Sequence, residues 1–294
     1  MTSSADVGGR IEAALERAVG RAGGPAAPPR IAAAMQDAVF PGGARVRPRL
    51  CLGVAAACGA RRAEIVDSAA VAIELLHCAS LVHDDMACFD DAETRRGRPA
   101  IHRAYGEDLA LLTGDALIVL AFETLGRTAS KAPDVAGDLI TIVARSVGAP
   151  HGIIAGQAWE CEPAIPSLAA YHRAKTAALF VAAASAGAAA AGADASLWAP
   201  LGDKLGEAYQ VADDLRDAAG EADEIGKPVG QDAVHARPNA VATLGVDGAL
   251  RRLRTLVEAA AAAVPDCGGK GALEALIRAE ETRLVPKKLA HHLV

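Results

Sequence analysis

Apolar residues in this chain come in long blocks at helical spacing, and glycine or proline interrupts the blocks at intervals. The breaks fall at Gly23-Gly24-Pro25, Pro41-Gly42-Gly43, Gly97-Arg98-Pro99, Ala149-Pro150, Gly226-Lys227-Pro228 and Pro265. Between them, residues 63–86, 106–127 and 196–219 run longer than ordinary strands and are rich in helix formers, so each is predicted to be a helix. No internal repeat or strand alternation competes with that reading. The expectation is one all-α domain over residues 1–294.

The most apolar block, 69–82, carries Glu74 and His77 and falls short of the ~20 residues that a membrane-spanning helix needs. It is expected to be a buried core helix, with no transmembrane segment in the chain. Its hydrophobic content of 52% includes only 3% aromatic residues, so the core must be built from Ala, Leu, Val and Ile, which suits close helix packing. The start, Met-Thr-Ser-Ser-Ala-Asp, has neither the basic nor the apolar region of a signal peptide. Cys51, Cys58, Cys78, Cys88, Cys161 and Cys267 show no paired metal spacing. Reduced core thiols in a cytoplasmic protein are expected.

A net charge of −6 argues against nucleic acid as the main partner. Charge is unevenly placed, however. Two acidic clusters, Asp84-Asp85 with Asp90-Asp91 and Asp213-Asp214 with Asp217, each follow alanine-rich apolar sequence, where isolated carboxylates are costly. A cation must offset them, and magnesium is the first candidate because it binds through a few carboxylates together with substrate phosphates. Asp213 and Asp217, four apart, share a helix face. Asp84 and Asp90, six apart, do not, so their helix must break or end near Cys88 if both are to hold one ion. Arg45, Arg47 and Arg49 follow a Gly-Gly turn, and Arg95, Arg96 and Arg98 follow the first acidic cluster. Beside magnesium-type motifs, such guanidinium groups read as phosphate clamps.

With these residues together the chain resembles the trans-isoprenyl diphosphate synthases, or polyprenyl synthetases, and most closely the geranylgeranyl diphosphate synthases of bacterial carotenoid pathways. The resemblance rests on an ordered series: Gly42-Gly43-Ala44-Arg45-Val46-Arg47-Pro48, Glu74-Leu75-Leu76-His77, His83-Asp84-Asp85, Arg95-Arg96-Gly97, Gly114-Asp115, Gly156-Gln157, Lys175-Thr176, Tyr209-Gln210, the second aspartate cluster, and Lys227 with Gly230 and Asp232. It implies the isoprenoid synthase fold, a bundle of long helices around a deep central cavity, as a homodimer. It also implies a reaction in which an allylic diphosphate ionises and the cation alkylates isopentenyl diphosphate, adding five carbons per cycle.

By that resemblance Asp84, Asp85 and Asp90 hold metal on one side of the allylic diphosphate, and Asp213, with Asp214 and Asp217, on the other, around three magnesium ions. Arg95, Lys175 and Lys227 donate to the same diphosphate. Arg47, His77 and Arg96 form a metal-free cradle for isopentenyl diphosphate, and Thr176 and Gln210 steady the cation. The released diphosphate takes the proton. Glu160 is read either as an organiser behind the metals or as a surface carboxylate.

Three positions depart from the family pattern. Ala44 stands where lysine is usual, leaving Arg45 or Arg49 to reach in, and Gln231 and Arg237 replace lysines later on. Product length is expected to be set along the first aspartate helix. Ala79 lies five residues before Asp84, about 7.5 Å down the wall, and with Ser80 leaves that level open. Leu76, or Phe122 from a neighbouring helix, supplies the next floor. A twenty-carbon product is predicted, with the fifteen-carbon farnesyl product as the nearest alternative. A non-catalytic regulatory subunit and a class I terpene cyclase are the rival readings. Complete aspartate motifs disfavour the first, and two aspartate motifs with few aromatics disfavour the second.

Overall fold

The computed structural model describes residues 4–40, 42–164, 167–219, 239–286 and 288–289. Lys227, Gly230, Gln231, Asp232 and Arg237, singled out above, lie outside the described residues, as does the terminal pair His291 and His292.

The described chain is helical almost throughout. In order, α1 (Ser4–Ala22), α2 (Pro29–Val39), α3 (Val46–Ala57) and α4 (Ala63–Asp84) lead to a short ribbon, β1 (Thr94–Arg95) with β2 (Arg98–Pro99). Then follow α5 (Ile101–Tyr105), α6 (Glu107–Gly126), α7 (Pro133–Val147), α8 (Ile153–Ala158) and α9 (Leu168–His172). A π-helical turn, Arg173–Ala177, runs directly into α10 (Ala178–Ala190). The bundle is completed by α11 (Ala199–Ala219), α12 (Ala240–Ala262) and α13 (Lys270–Leu284). The three long helices read from the sequence are present as α4, α6 and α11, the last preceded by a 3₁₀ turn at Ala195–Trp198. The ribbon was not foreseen; it pairs Thr94 with Pro99 and Arg95 with Arg98 antiparallel.

Local chemistry starts the elements where the pattern places them. Pro29 and Pro133 occupy the first turns of α2 and α7, where a missing N–H costs nothing. The Asn239 side chain accepts from the Ala242 N–H at 2.6 Å and caps α12. At the centre, α10 is buried along nearly its whole length and packs against α3, α4, α7 and α11. Its alanines let these backbones approach closely, which is how a core poor in aromatics fills space. Phe180 is the exception, a fully buried ring among small side chains.

Among the described residues, two helices are long and apolar enough to cross a membrane, and burial separates them. In α4, 72% of the apolar window is buried, as expected of a core helix, but in α6 only 44% is. The remainder of α6 presents Leu111, Leu112 and Val119 outward. The cysteines divide similarly. Cys51 and Cys78 are buried core thiols, but Cys88 and Cys161 are exposed, correcting the expectation of core burial for those two.

Candidate active site

A cavity of about 1210 Å³ opens between the C-terminal end of α4, the π-helical turn, α11 and α13. Helix α4 ends at Asp84, one turn earlier than Cys88. The chain then folds back on itself: the Asp90 N–H donates to the Asp84 carbonyl at 3.0 Å, and the Ala92 N–H to that of Asp85 at 3.1 Å. This return brings Asp90 beside Asp84, which helical spacing alone could not do. Glu160, on a 3₁₀ turn (Trp159–Cys161), completes the group: one oxygen from each of Asp84, Asp90 and Glu160 lies within 4.8 Å of the others. Hard oxygen donors at that separation fit a divalent cation such as magnesium. Glu160 is thus part of the cluster rather than a surface carboxylate. It accepts from the Tyr171 hydroxyl and from Lys175, whose Nζ also lies 3.4 Å from Asp84 Oδ1.

Asp85 faces the other way. Its carboxylate is buried and takes the Arg95 fork, with Nε 3.0 Å from Oδ1 and 3.1 Å from Oδ2. Burial pushes the Asp85 carboxyl up, and its pairing with Arg95 works against that rise. Asp85 therefore stands outside the three-oxygen group of Asp84, Asp90 and Glu160. Successive residues at a helix end differ by about 100°, and here that rotation turns Asp85 onto Arg95 while Asp84 lines the cavity. The second motif divides in the same way. Asp213 and Asp217 line the cavity from α11, with Asp213 paired to Arg216 at 2.5 Å. Asp214 is buried behind them, accepting from Gln210 Nε2 at 3.0 Å and from the Ala240 N–H at 2.7 Å. It anchors the start of α12. Through Gln210 it also orients Thr176, whose hydroxyl donates to Gln210 Oε1 at 2.7 Å.

Lys175 and Thr176 stand on the π-helical turn, an irregularity that re-aims side chains and recurs at functional sites. Gly156 permits that placement, since a Cβ there would lie 2.4 Å from the Lys175 backbone nitrogen. Replacing Gly156 with Ala is expected to cost about 1–3 kcal/mol by overpacking. A thermal melt should show a fall of several degrees, and an unshifted melt would mean that the two segments separate without penalty.

The arginines divide into those that face the cavity and those held elsewhere. Arg47 lies over the Phe180 ring, 4.6 Å from its centroid, and its Nε is buried without a hydrogen-bond partner. Burial lowers its pKa, with Arg96 adding to the effect. An orphaned guanidinium donor lining a cavity fits an anionic ligand. Arg96 adopts a left-handed backbone, φ 53°, and donates to the Gly42 carbonyl. Gly43 makes room: at φ 149° a Cβ there would lie 2.9 Å from the Arg96 guanidinium carbon. His77 also lines the cavity, and burial followed by the surrounding arginines holds it well below the usual imidazole range, so it is neutral.

Arg45 also lines the cavity, but its guanidinium is engaged by other groups. Its guanidinium is buried on Glu74 (2.7 Å), Glu12 (2.8 Å) and the Val39 carbonyl (2.6 Å). Burial alone would lower its pKa, but Glu12 and Glu74 leave it raised. Arg49 points toward α1, within 3.1 Å of where a Cβ on Gly8 would stand. Leu76, Ala79 and Ser80 of α4 line the cavity, as do Ile118 of α6 and Val147 of α7. Phe122 does not line it, being one turn beyond Ile118 on α6 and packed on the main core. Arg216, Glu280 and Arg283 line the cavity but were missed in the sequence; Arg216 was legible as three residues after Asp213, the α13 pair by no local signal.

Residues 28–267 match the polyprenyl synthetase family. The chain is 55% identical over 281 residues to a geranylgeranyl diphosphate synthase of Cereibacter sphaeroides, covering 96% of this chain and 97% of that one. It is 49% identical over 269 residues to a geranylgeranyl diphosphate synthase of Rhodobacter capsulatus, covering 92% and 93%. Among solved structures it superposes on a geranyltransferase of Helicobacter pylori complexed with magnesium and isoprenyl diphosphate. The TM-score there is 0.75 at 29% identity, covering 97% of this chain and 98% of that one.

Proposed function

This chain belongs to the polyprenyl synthetase family, and from that premise we propose that it is a geranylgeranyl diphosphate synthase, a magnesium-dependent prenyltransferase that condenses isopentenyl diphosphate with allylic diphosphates up to farnesyl diphosphate. The observation that carries this reading is that Asp84 from one wall, grouped with Asp90 and Glu160, and Asp213 and Asp217 from the other line a single cavity that Lys175, Arg95 and apolar residues also line.

In this reading Asp84, Asp90 and Glu160 hold metal at one side of the allylic diphosphate and Asp213 and Asp217 hold it at the other. Magnesium, taken as three ions with substrate bound, would supply Lewis-acid neutralisation of the departing diphosphate. Lys175 meets the growing charge directly, together with Lys227, and Arg95 adds a fixed positive charge locked in place by Asp85. Donors already aimed at the leaving group need no reorganisation as the C–O bond breaks. Arg47, His77 and Arg96 orient isopentenyl diphosphate so that its double bond faces the allylic carbon. The Thr176 oxygen, held by Gln210, stands where an allylic cation would be steadied. The released diphosphate accepts the proton that restores the alkene.

Chain growth runs down the wall of α4, where Ala79 and Ser80 leave space and Leu76 with Ile118 closes it. The main core cluster, which draws on helices from α1 to α13 among the described residues, supports reading 1–294 as a single domain. The outward Leu111, Leu112 and Val119 of α6 favour a homodimer, because an apolar face of that kind is normally covered. We take the enzyme to act in the cytoplasm.

Incubating the purified protein with labelled isopentenyl diphosphate, farnesyl diphosphate and magnesium is expected to yield an all-linear twenty-carbon diphosphate. A product stopped at fifteen carbons from a geranyl primer would reassign it as a farnesyl diphosphate synthase. Cyclised hydrocarbon, or no turnover, would reject the reading.

A further inference from the structure

Helix α13 brings two opposite charges into the cavity that the diphosphate-binding motifs do not account for. Glu280 and Arg283 both line it, and Arg283 Nη1 lies 2.9 Å from Glu280 Oε1. The glutamate side chain is only 13% exposed, whereas the arginine keeps 46%. The second Glu280 oxygen, Oε2, accepts from the Tyr209 hydroxyl at 3.1 Å. The Tyr209 ring packs on Phe180 with centroids 4.6 Å apart, and the guanidinium of Arg47 lies over that same Phe180 ring. A carboxylate therefore stands on the wall of a polyanion cradle, joined through two rings to one of its chief cations.

Such a carboxylate acts against an incoming diphosphate twice, by direct repulsion and by occupying an arginine able to serve the ligand. The ion pair itself contributes little to the fold, since its arginine is half-exposed. The cradle is already short of free positive charge, since Ala44 lines it and the Arg45 guanidinium is held by Glu12 and Glu74. We propose that Glu280 is a specificity-determining residue that weakens binding of isopentenyl diphosphate relative to the allylic primer, by holding Arg283 and adding a negative charge to the wall that Tyr209 and Phe180 connect to Arg47. The proposal rests on the prenyl-elongation reading of the cavity. Its effect is to raise the concentration of isopentenyl diphosphate at which elongation saturates.

The test is steady-state kinetics on the full-length protein with isopentenyl diphosphate and farnesyl diphosphate varied in turn. Glu280→Gln removes the charge while its amide oxygen still accepts from Tyr209. It is expected to lower KM for isopentenyl diphosphate about five-fold and to shift KM for farnesyl diphosphate less than about two-fold. Glu280→Ala, which also drops the Tyr209 link, is expected to lower KM for isopentenyl diphosphate as well. A merely structural role would instead raise both constants together. An unchanged or raised KM for isopentenyl diphosphate in Glu280→Gln, or an equal fall for both substrates, overturns the proposal. Failure of the underlying reading is seen separately, as absence of prenyl transfer by the unsubstituted protein.

Discussion

Asp84→Ala is expected to lower kcat by about a thousand-fold or more, because it removes a carboxylate from the three-oxygen cluster and leaves Lys175 tilted toward Glu160 alone. The fold should survive, since Asp84 lies at the last position of α4 and lines the cavity rather than the core. Asp85→Asn makes the contrast. That change leaves the Arg95 guanidinium half-paired and largely buried, so the expected loss is first one of stability, about 3 kcal/mol or more. Rate measured over a magnesium titration, beside thermal melts of both variants, separates the two aspartates. If Asp84→Ala turns over at near-normal rate, or if Asp85→Asn keeps full stability and loses only magnesium affinity, the assignment of the two carboxylates is reversed.

Ala79→Phe is expected to convert a twenty-carbon product into a fifteen-carbon one. Ala79 lies on the cavity wall above Leu76, and a benzyl group there would close the channel one isoprene unit earlier. The position is almost wholly shielded from solvent, so a modest overpacking cost of about 1–3 kcal/mol is anticipated where the ring cannot turn fully into the cavity. Chromatography of the dephosphorylated products gives the answer, and a melt shows that the protein remains folded. An unchanged product ladder would move the floor away from α4. Phe122→Ala serves as the comparison: outside the cavity, it should leave product length as it was.

Much of this was legible along the chain. The long helices followed from block length and helix formers, because local propensity and one buried face suffice to define a helix. The pairing of Asp213 with Asp217 followed from a four-residue spacing. Identification of Asp84 and Asp90 with one ion required a break in the helix, and the break was expected near Cys88; the helix in fact stops at Asp84, since it is the return of the backbone, with Asp90 donating to the Asp84 carbonyl, that defines the turn.

The structure separates residues that the linear motifs group. Asp85 and Asp214 were grouped with their neighbours because adjacency in sequence looks like adjacency in space. In each pair one carboxylate faces the cavity and the other is buried behind it, on Arg95 in the first case and on Gln210 and the start of α12 in the second. Arg45 was offered as a substitute for a missing lysine, but two glutamates from α1 and α4 hold its guanidinium. Phe122 was offered as a floor, yet lies a turn beyond the level that Ile118 reaches.

By itself, then, the amino-acid sequence determined the helical class, the alanine-rich core, the two aspartate motifs and the family. These rest on periodicity and short spacings, which act within a few turns of one helix. Only the tertiary structure decided which carboxylate of each pair meets the cavity, that Glu160 completes the cluster, and that Glu280 and Arg283 reach the site from the far end of the chain. Those depend on how separate helices are rotated and packed against one another, a matter of burial and pairing between residues tens to hundreds of positions apart, for which a linear pattern carries no sign.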